Sequence, residues 1–257
     1  MNRIPNPESR IPSKKGNLFL IGLGLNENSL TAEALDAIKS SDEIYLENYT
    51  VNFPYKIETL EKKLNKKIIQ LNRQQVESEE ILKQAKEKNI ALLVYGDALS
   101  ATTHIQLILE AKKQKIPFKI LHNTSILTAI AETGLSLYKF GKTASMPNWK
   151  EHTNKPTSFA TYIKQNQSID AHTLILTDIG LEIHDAISQL IETVKKENLK
   201  LPNKIIALSN AGTSNQKIFY NTPESLQNKK IEMPFCLILP TKLHFLEEEF
   251  LISLSKK

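Results

Sequence analysis

Cysteine is all but missing from this chain. One residue in 257, Cys236, carries a thiol, so no disulfide can form within the chain and a packed core must hold the fold. That cysteine sits inside Phe235-Cys236-Leu237-Ile238-Leu239, an apolar run that predicts a buried, reduced packing residue. Long hydrophobic runs are absent too. Nothing approaches the ~20 apolar residues of a membrane helix, and no secretory apolar core opens the chain. These absences predict a cytoplasmic protein with no membrane partner. No G-x-S-x-G elbow occurs, which excludes a serine hydrolase of that type. The histidines, at 104, 122, 152, 172, 184 and 244, show no i,i+4 pairing and no H-E-x-x-H pattern, so no metal site is expected. The net charge of +5 would suit an acidic partner or nucleic acid. Its lysines alternate with acids, however, as in Glu58-Thr59-Leu60-Glu61-Lys62-Lys63, the pattern of a solvated helix face. No direct nucleic-acid contact is expected.

What remains is an ordinary globular composition, 40% hydrophobic and 24% charged. Residues 1–16 stand apart, with three prolines, four basic residues and no apolar periodicity, and read as a flexible basic arm. From Asn17 onward, strands and helices alternate. Leu18–Ile21, Ile44–Leu46, Ile68–Leu71, Ala91–Tyr95 and Pro117–Leu121 read as strands. Between them lie amphipathic segments carrying Leu30, Ala34, Leu35 and Ile38, then Ile57, Leu60 and Leu64. Further helices are expected over Glu77–Lys88, Thr103–Lys115 and Ser125–Glu132. Strands with no internal polar alternation argue a parallel sheet covered on both faces. The periodicity lapses between Tyr138 and Pro156, which suggests a connection or an extended strand entering a second unit. Beyond it come strands at Leu174–Thr177, Ile205–Leu208 and Phe235–Leu239, with helices over Glu182–Glu197 and His244–Leu254. The fold class is therefore α/β, in two domains: a mainly parallel one over 17–146 and a mixed-sheet one over 147–257. The interdomain cleft is the expected ligand site. Trp149, Tyr138, Phe140, Phe159 and Tyr162 read as core rather than as a base-stacking platform.

The chemistry concentrates at strand ends. Tyr95-Gly96-Asp97 closes the fourth strand, and a threonine pair, Thr102-Thr103, opens the next helix. This places a carboxylate in the crevice where open parallel sheets bind ligands. An anionic acceptor there suits an ammonium, a sulfonium or a ribose hydroxyl. As an isolated cleft carboxylate, Asp97 is expected to contribute little to stability. Gly22-Leu23-Gly24-Leu25 follows the first strand as a dinucleotide turn would, but Glu27 stands where a third glycine belongs. A nucleoside-binding turn fits this pattern and a nicotinamide cofactor does not. Asp42 and Glu43 lie about where a ribose-binding acid would fall.

Taken in order, these segments resemble a known family. L-F-L-I-G-L-G-L at 18–25, Y-L-E-N-Y-T at 45–50 and V-Y-G-D-A-L-S-A-T-T-H at 94–104 come first. I-L-H-N-T-S-I at 120–126, G-L-S-L-Y-K-F-G-K-T at 134–143 and H-T-L-I-L-T-D-I at 172–179 follow, then N-A-G-T-S-N at 210–215 and L-P-T-K-L-H at 239–244. They resemble the diphthine synthases, tetrapyrrole-methylase-like (class III) methyltransferases that use S-adenosyl-L-methionine. The resemblance covers nearly the whole chain after Asn17. It implies methylation of the amino group of a modified histidine on elongation factor 2, by a homodimer. Carried over residue by residue, it implies cofactor contacts at Leu25, Asp97, Ser100, Ser125 and Ile126. Thr177, Ala211 and Phe235 follow from the second half. It implies no catalytic side chain. Ala98 stands where the family usually has proline, Asn210 where it has arginine, and Thr241 where it has glycine; Gly180 replaces the lysine of D-I-K. Two other classes stay open: a methyltransferase of the same fold acting on a tetrapyrrole or another small molecule, and a non-catalytic binding module.

Overall fold

The computed structural model describes residues 15–254 apart from residue 79. The basic arm read over 1–16 therefore falls, up to residue 14, outside the described residues. Five strands, β1 (Asn17–Gly22), β2 (Glu43–Glu47), β3 (Ile69–Leu71), β4 (Asn89–Val94) and β5 (Phe118–Leu121), form the first sheet in the order β3-β2-β4-β1-β5. Every pairing in it is parallel. Side chains alternate faces along a strand. Leu18 and Leu20 of β1 join Ile90, Leu92 and Val94 of β4 in one buried layer. Ile21, Ala91 and Leu93 face the other. Both layers are capped by helices, which is why these strands are apolar throughout.

Among those helices, α1 (Ala32–Ser40) starts where the Thr31 hydroxyl accepts from the Ala34 N–H at 3.1 Å. α2 (Ile57–Leu64) buries Leu60. The single helix expected over Glu77–Lys88 is two short ones, α3 (Arg73–Glu77) and α4 (Glu80–Ala85). An Asn72–Gln75 capping box starts the first of them early, and extended backbone at Ser78 ends it. α5 (Ile105–Lys113) and the short α6 (Ile126–Ala129) follow β4 and β5.

The second sheet is mixed. β6 (Ala144–Met146), β7 (Thr173–Thr177), β8 (Ile205–Ser209), β9 (Lys217–Asn221) and β10 (Phe235–Leu239) run in the order β6-β7-β10-β8-β9. Only β6 and β7 are parallel. β6 lies inside the span read as the first unit, 17–146, yet it pairs with β7. α7 (Phe159–Ser168) and α8 (Ile183–Lys196) cover one face, and Ile183, Ala186, Ile187, Leu190 and Val194 supply the buried stripe of α8 at helical spacing. β9, α7 and α9 (Pro223–Gln227) are elements that periodicity did not predict. Of the aromatics read as core, Phe159 is buried but Tyr138 is 99% exposed.

The opposite face of this sheet, with Leu174, Ile206, Leu208, Cys236 and Ile238, packs on Leu25, Ala129 and Ile130 from the first half and on Leu251. Leu251 belongs to α10 (Phe245–Leu254), which is anchored by a buried carboxylate. Glu247 accepts from the backbone N–H of Ser136 at 2.9 Å and of His244 at 2.8 Å, and from Lys139 Nζ at 3.1 Å. Burial alone would raise its carboxyl, but these donors and nearby His172 hold it down at about 2. His172 is pushed the other way from a charged state, its pKa lowered chiefly by burial. Both groups resist protonation when folded, so both lend stability that is lost in acid. His172 begins to lose it below its ordinary 6.5, and Glu247 between 4.5 and about 2. The Glu247 share is about 3 kcal/mol. Urea denaturation from pH 7 to pH 3 should show this decline, and Glu247→Gln should flatten its lower part.

Candidate functional site

Strand order decides what meets at the carboxyl ends of the first sheet. β2, β4, β1 and β5 are neighbours, so the segments following them, at Thr50, Asp97, Leu25 and Ser125, converge on one edge. Gly24 and Gly96 lie back to back there, each donating its N–H to the other's carbonyl, at 2.9 and 3.0 Å. Both have left-handed backbone, φ +72 and +75. A Cβ on Gly24 would also stand 2.3 Å from the Ser29 Cβ. The glycines of G-L-G-L and G-D thus serve one shared turn.

Asp97 is buried and far from isolated. Its Oδ1 accepts from the backbone N–H of Leu99 (3.0 Å) and Ser100 (3.1 Å) and from the Ser100 hydroxyl (3.1 Å). Its Oδ2 accepts from His122 Nδ1 at 2.8 Å and the Asn123 N–H at 3.0 Å. Burial would raise its carboxyl, but the donors outweigh that effect and hold it below the usual carboxylate range. The expectation of a free acceptor with little structural weight is corrected. Asp97 clamps the loop after β4 to the loop after β5. Asn123 extends the clamp, its amide donating to the Gly22 and Ser29 carbonyls at 3.1 and 2.9 Å.

The second sheet supplies the facing wall. Leu25, Asp97, Ser100, Ser125, Ile126, Thr177, Ala211 and Phe235 all line one pocket, so the eight residues named from sequence are brought together. Ser125 caps α6 by accepting from the Leu127 N–H at 3.2 Å. Thr177 donates to the Phe235 carbonyl at 2.7 Å, joining β7 to the entry of β10. Tyr95 donates to the Leu25 carbonyl at 3.1 Å and fixes the first turn. Apolar walls and a few convergent hydroxyls around a buried carboxylate suit a small organic cation with hydroxyl and amine groups. Cys236 also lines the pocket, but burial pushes its thiol up to about 12, so it is no nucleophile at neutral pH.

Other sequence signals fall elsewhere. Asp42 and Glu43 stand at the amino end of β2, away from the pocket, where Asp42 accepts from the Asn89 N–H and Glu43 pairs with Lys88. They are no ribose ligands. Thr241 donates its N–H to His172 Nδ1 at 3.0 Å and lines a different cavity. Asn210 borders Ala211 in left-handed backbone (φ +51), its amide turned to Glu232. Ala98 is fully buried, so this departure from the family is held by packing.

Thr50, Val51, Thr102 and Pro234 line the pocket and were missed. The Y-L-E-N-Y-T motif carried the signal for the first two. Behind Thr50 lies a buried contact between a carboxylate and an imidazole, Glu47 Oε2 to His104 Nε2 at 2.7 Å, with both side chains at 2% exposure or less. The Thr50 hydroxyl donates to Glu47 Oε1, and His104 Nδ1 lies 3.3 Å from the Ala98 carbonyl. His104 thus ties β2 to the loop after β4.

A parallel sheet whose strand ends face a mixed sheet across one such pocket defines a two-sheet α/β enzyme. Residues 17–227 match the model of the tetrapyrrole (corrin/porphyrin) methylases, and the chain belongs to that family and is a methyltransferase. It is 36% identical to the diphthine methyl ester synthase of Schizosaccharomyces pombe, over 91% of this chain and 92% of that one. It is also 36% identical to the diphthine synthase of Methanocaldococcus jannaschii, over 91% and 97%. A solved crystal structure of a diphthine synthase superposes with a TM-score of 0.84 at 32% identity, covering 93% of this chain and 95% of that one.

Proposed function

We propose that this methyltransferase acts in diphthamide biosynthesis, moving methyl groups from S-adenosyl-L-methionine to the amino group of the modified histidine of elongation factor 2. The observation that carries the reading is the convergence of eight residues, dispersed from Leu25 to Phe235, on one pocket walled by both sheets. Relatives named diphthine methyl ester synthase and diphthine synthase, matched over 91% of the chain, support the diphthamide pathway over a tetrapyrrole acceptor or a purely binding role.

When bound, the cofactor supplies a methyl group on a sulfonium centre, activated for in-line displacement. The chain's own part is alignment. Asp97, ionised by its five donors, sets a negative potential that favours a cationic ligand. Leu25, Ile126 and Phe235 exclude water from the reacting atoms, and Ser100 and Thr177 present oxygen atoms for polar groups. No side chain is required to act on the methyl group itself.

The two structural units are proposed to divide ahead of β6, which pairs with β7, and the protein to work in the cytoplasm; among the described residues no helix is long and apolar enough to cross a membrane. A homodimer is proposed as well. α10 leaves Phe245, Leu246, Phe250 and Ile252 exposed on its outer side, an apolar face that a second copy would cover. Light scattering should return twice the chain mass; a monomer mass at micromolar concentration contradicts it.

Calorimetry should register binding of S-adenosyl-L-methionine and of its demethylated product without added metal. Labelled cofactor should mark elongation factor 2 carrying the aminocarboxypropyl histidine, and not a version with that histidine replaced. No heat with either ligand, alongside tight binding of a nicotinamide nucleotide, overturns the proposal. Labelling of a corrin-type molecule in place of the protein moves the activity to a small-molecule acceptor.

A further inference from the structure

The Glu47–His104 pair has a chemical consequence at the pocket mouth. The Ala98 carbonyl can only accept, so the His104 Nδ1 beside it carries a proton. His104 Nε2 stands 2.7 Å from Glu47 Oε2 without hydrogen-bond alignment, so this contact occupies one side of the carboxylate and leaves the other oxygen free of it. Glu47 Oε1 is then left as an acceptor, and it takes the proton of the Thr50 hydroxyl. A hydroxyl has one proton to give. With it committed inward, Thr50 offers the pocket only lone pairs. Tyr49 closes the other side of Glu47: its hydroxyl is pushed up to about 12, first by burial and then by this carboxylate. Arg73 lies over the Tyr49 ring at 5.3 Å, with Glu77 nearby.

The Thr50 segment also reaches the opposite wall. Asn52 donates to Met233 Sδ at 3.2 Å, next to Pro234 and Phe235 of the pocket. Thr50 itself is exposed at the mouth, where a protein-borne acceptor group must enter.

We propose that the Thr50 oxygen is the hydrogen-bond acceptor that orients the attacking amine, with Glu47 and His104 as the positioning residues that commit its proton inward. This rests on the amine-methylation reading above and names how the site selects its acceptor. An N–H donated to Thr50 directs the nitrogen lone pair away from that bond and toward the methyl carbon. The lone pair forms the new N–C bond as the C–S pair leaves with sulfur, and the resulting ammonium sheds its proton to solvent before any next transfer. The device is specific to amines that carry hydrogen. A neutral primary or secondary amine has an N–H to donate, whereas a dimethylated amine has none.

The test compares wild type with Thr50→Val, Thr50→Ser and Glu47→Gln, on elongation factor 2 bearing the unmethylated and, separately, the N,N-dimethylated acceptor. Thr50→Val strands the buried Glu47 Oε1 and should lower the melting temperature, but should remain folded and bind S-adenosyl-L-methionine within about twofold of wild type by calorimetry. Its kcat on the unmethylated acceptor should fall by about tenfold or more, the scale of one lost hydrogen bond in a transition state. On the dimethylated acceptor it should match wild type. Thr50→Ser should retain most of the rate, and Glu47→Gln, if folded, should behave as a weaker Thr50→Val. Equal losses on both acceptors, a wild-type rate in Thr50→Val, or a serine variant no better than valine would each overturn the role. Wild-type protein that binds the cofactor yet methylates neither acceptor overturns the function reading itself, and is recognisable because no variant is needed to see it.

Discussion

Asp97→Asn should lower both the stability of the unliganded protein and its affinity for S-adenosyl-L-methionine. An asparagine offers one acceptor oxygen and one NH2 group where the carboxylate offers two acceptors. If its oxygen faces Leu99 and Ser100, the Asn123 N–H, which can only donate, meets another donor. If the amide turns over, the Leu99 and Ser100 N–H groups are stranded instead. Either orientation leaves at least one backbone donor unsatisfied and removes a charge-assisted bond, a loss of about 3 kcal/mol. Urea denaturation should read that loss directly. Because the clamp sets the loops carrying Ser100 and Ser125, cofactor affinity should fall by about one to two orders of magnitude. A normal urea midpoint with lost affinity would mean that Asp97 serves the ligand alone and the clamp carries no weight.

His104→Ala should be at least as damaging. It leaves the Glu47 carboxylate buried without its partner, and removing one member of a buried pair costs about 3–5 kcal/mol. Replacing both members by apolar residues of similar volume, Glu47→Met with His104→Phe, should recover most of that stability, since the desolvated charge goes with its partner. Thermal unfolding of Glu47→Met, His104→Phe and the double variant gives the coupling energy. A single variant that melts with wild type would show the pair to be dispensable. The double variant should stay slow on amine acceptors even when stable, because Thr50 then has no inward partner for its proton.

Local patterning made much of the chain readable. Leu18–Ile21 and Ala91–Tyr95 are apolar without alternation because both faces of their sheet are covered, and α8 shows its buried stripe at helical spacing. The segments misread have physical causes. β9 lies at a sheet edge and is nowhere fully buried, so it shows no continuous apolar run, and β6, the extended strand expected in the lapse after Tyr138, is only three residues long. α7 is marked by Phe159 and Ile163 among polar residues, too few to raise a periodic signal. The break at Ser78 depends on a capping box that competes with a continuous helical pattern.

At the pocket, the eight residues were legible through ordered motifs, but their meeting was not. The sequence by itself determined the α/β class, the parallel character of the first sheet, the buried cysteine and the residue types at each strand end, because each follows from local period and composition. Only the tertiary structure decided that β2, β4, β1 and β5 stand side by side, that the face holding Leu208 and Cys236 closes over Leu25, and that Asp97 is spent on five internal donors. It alone decided that His104 reaches Glu47 across 57 positions of chain. Strand order and hydrogen-bond partnership are set by contacts between residues far apart in sequence, and no local pattern records which of many compatible partners a side chain will find.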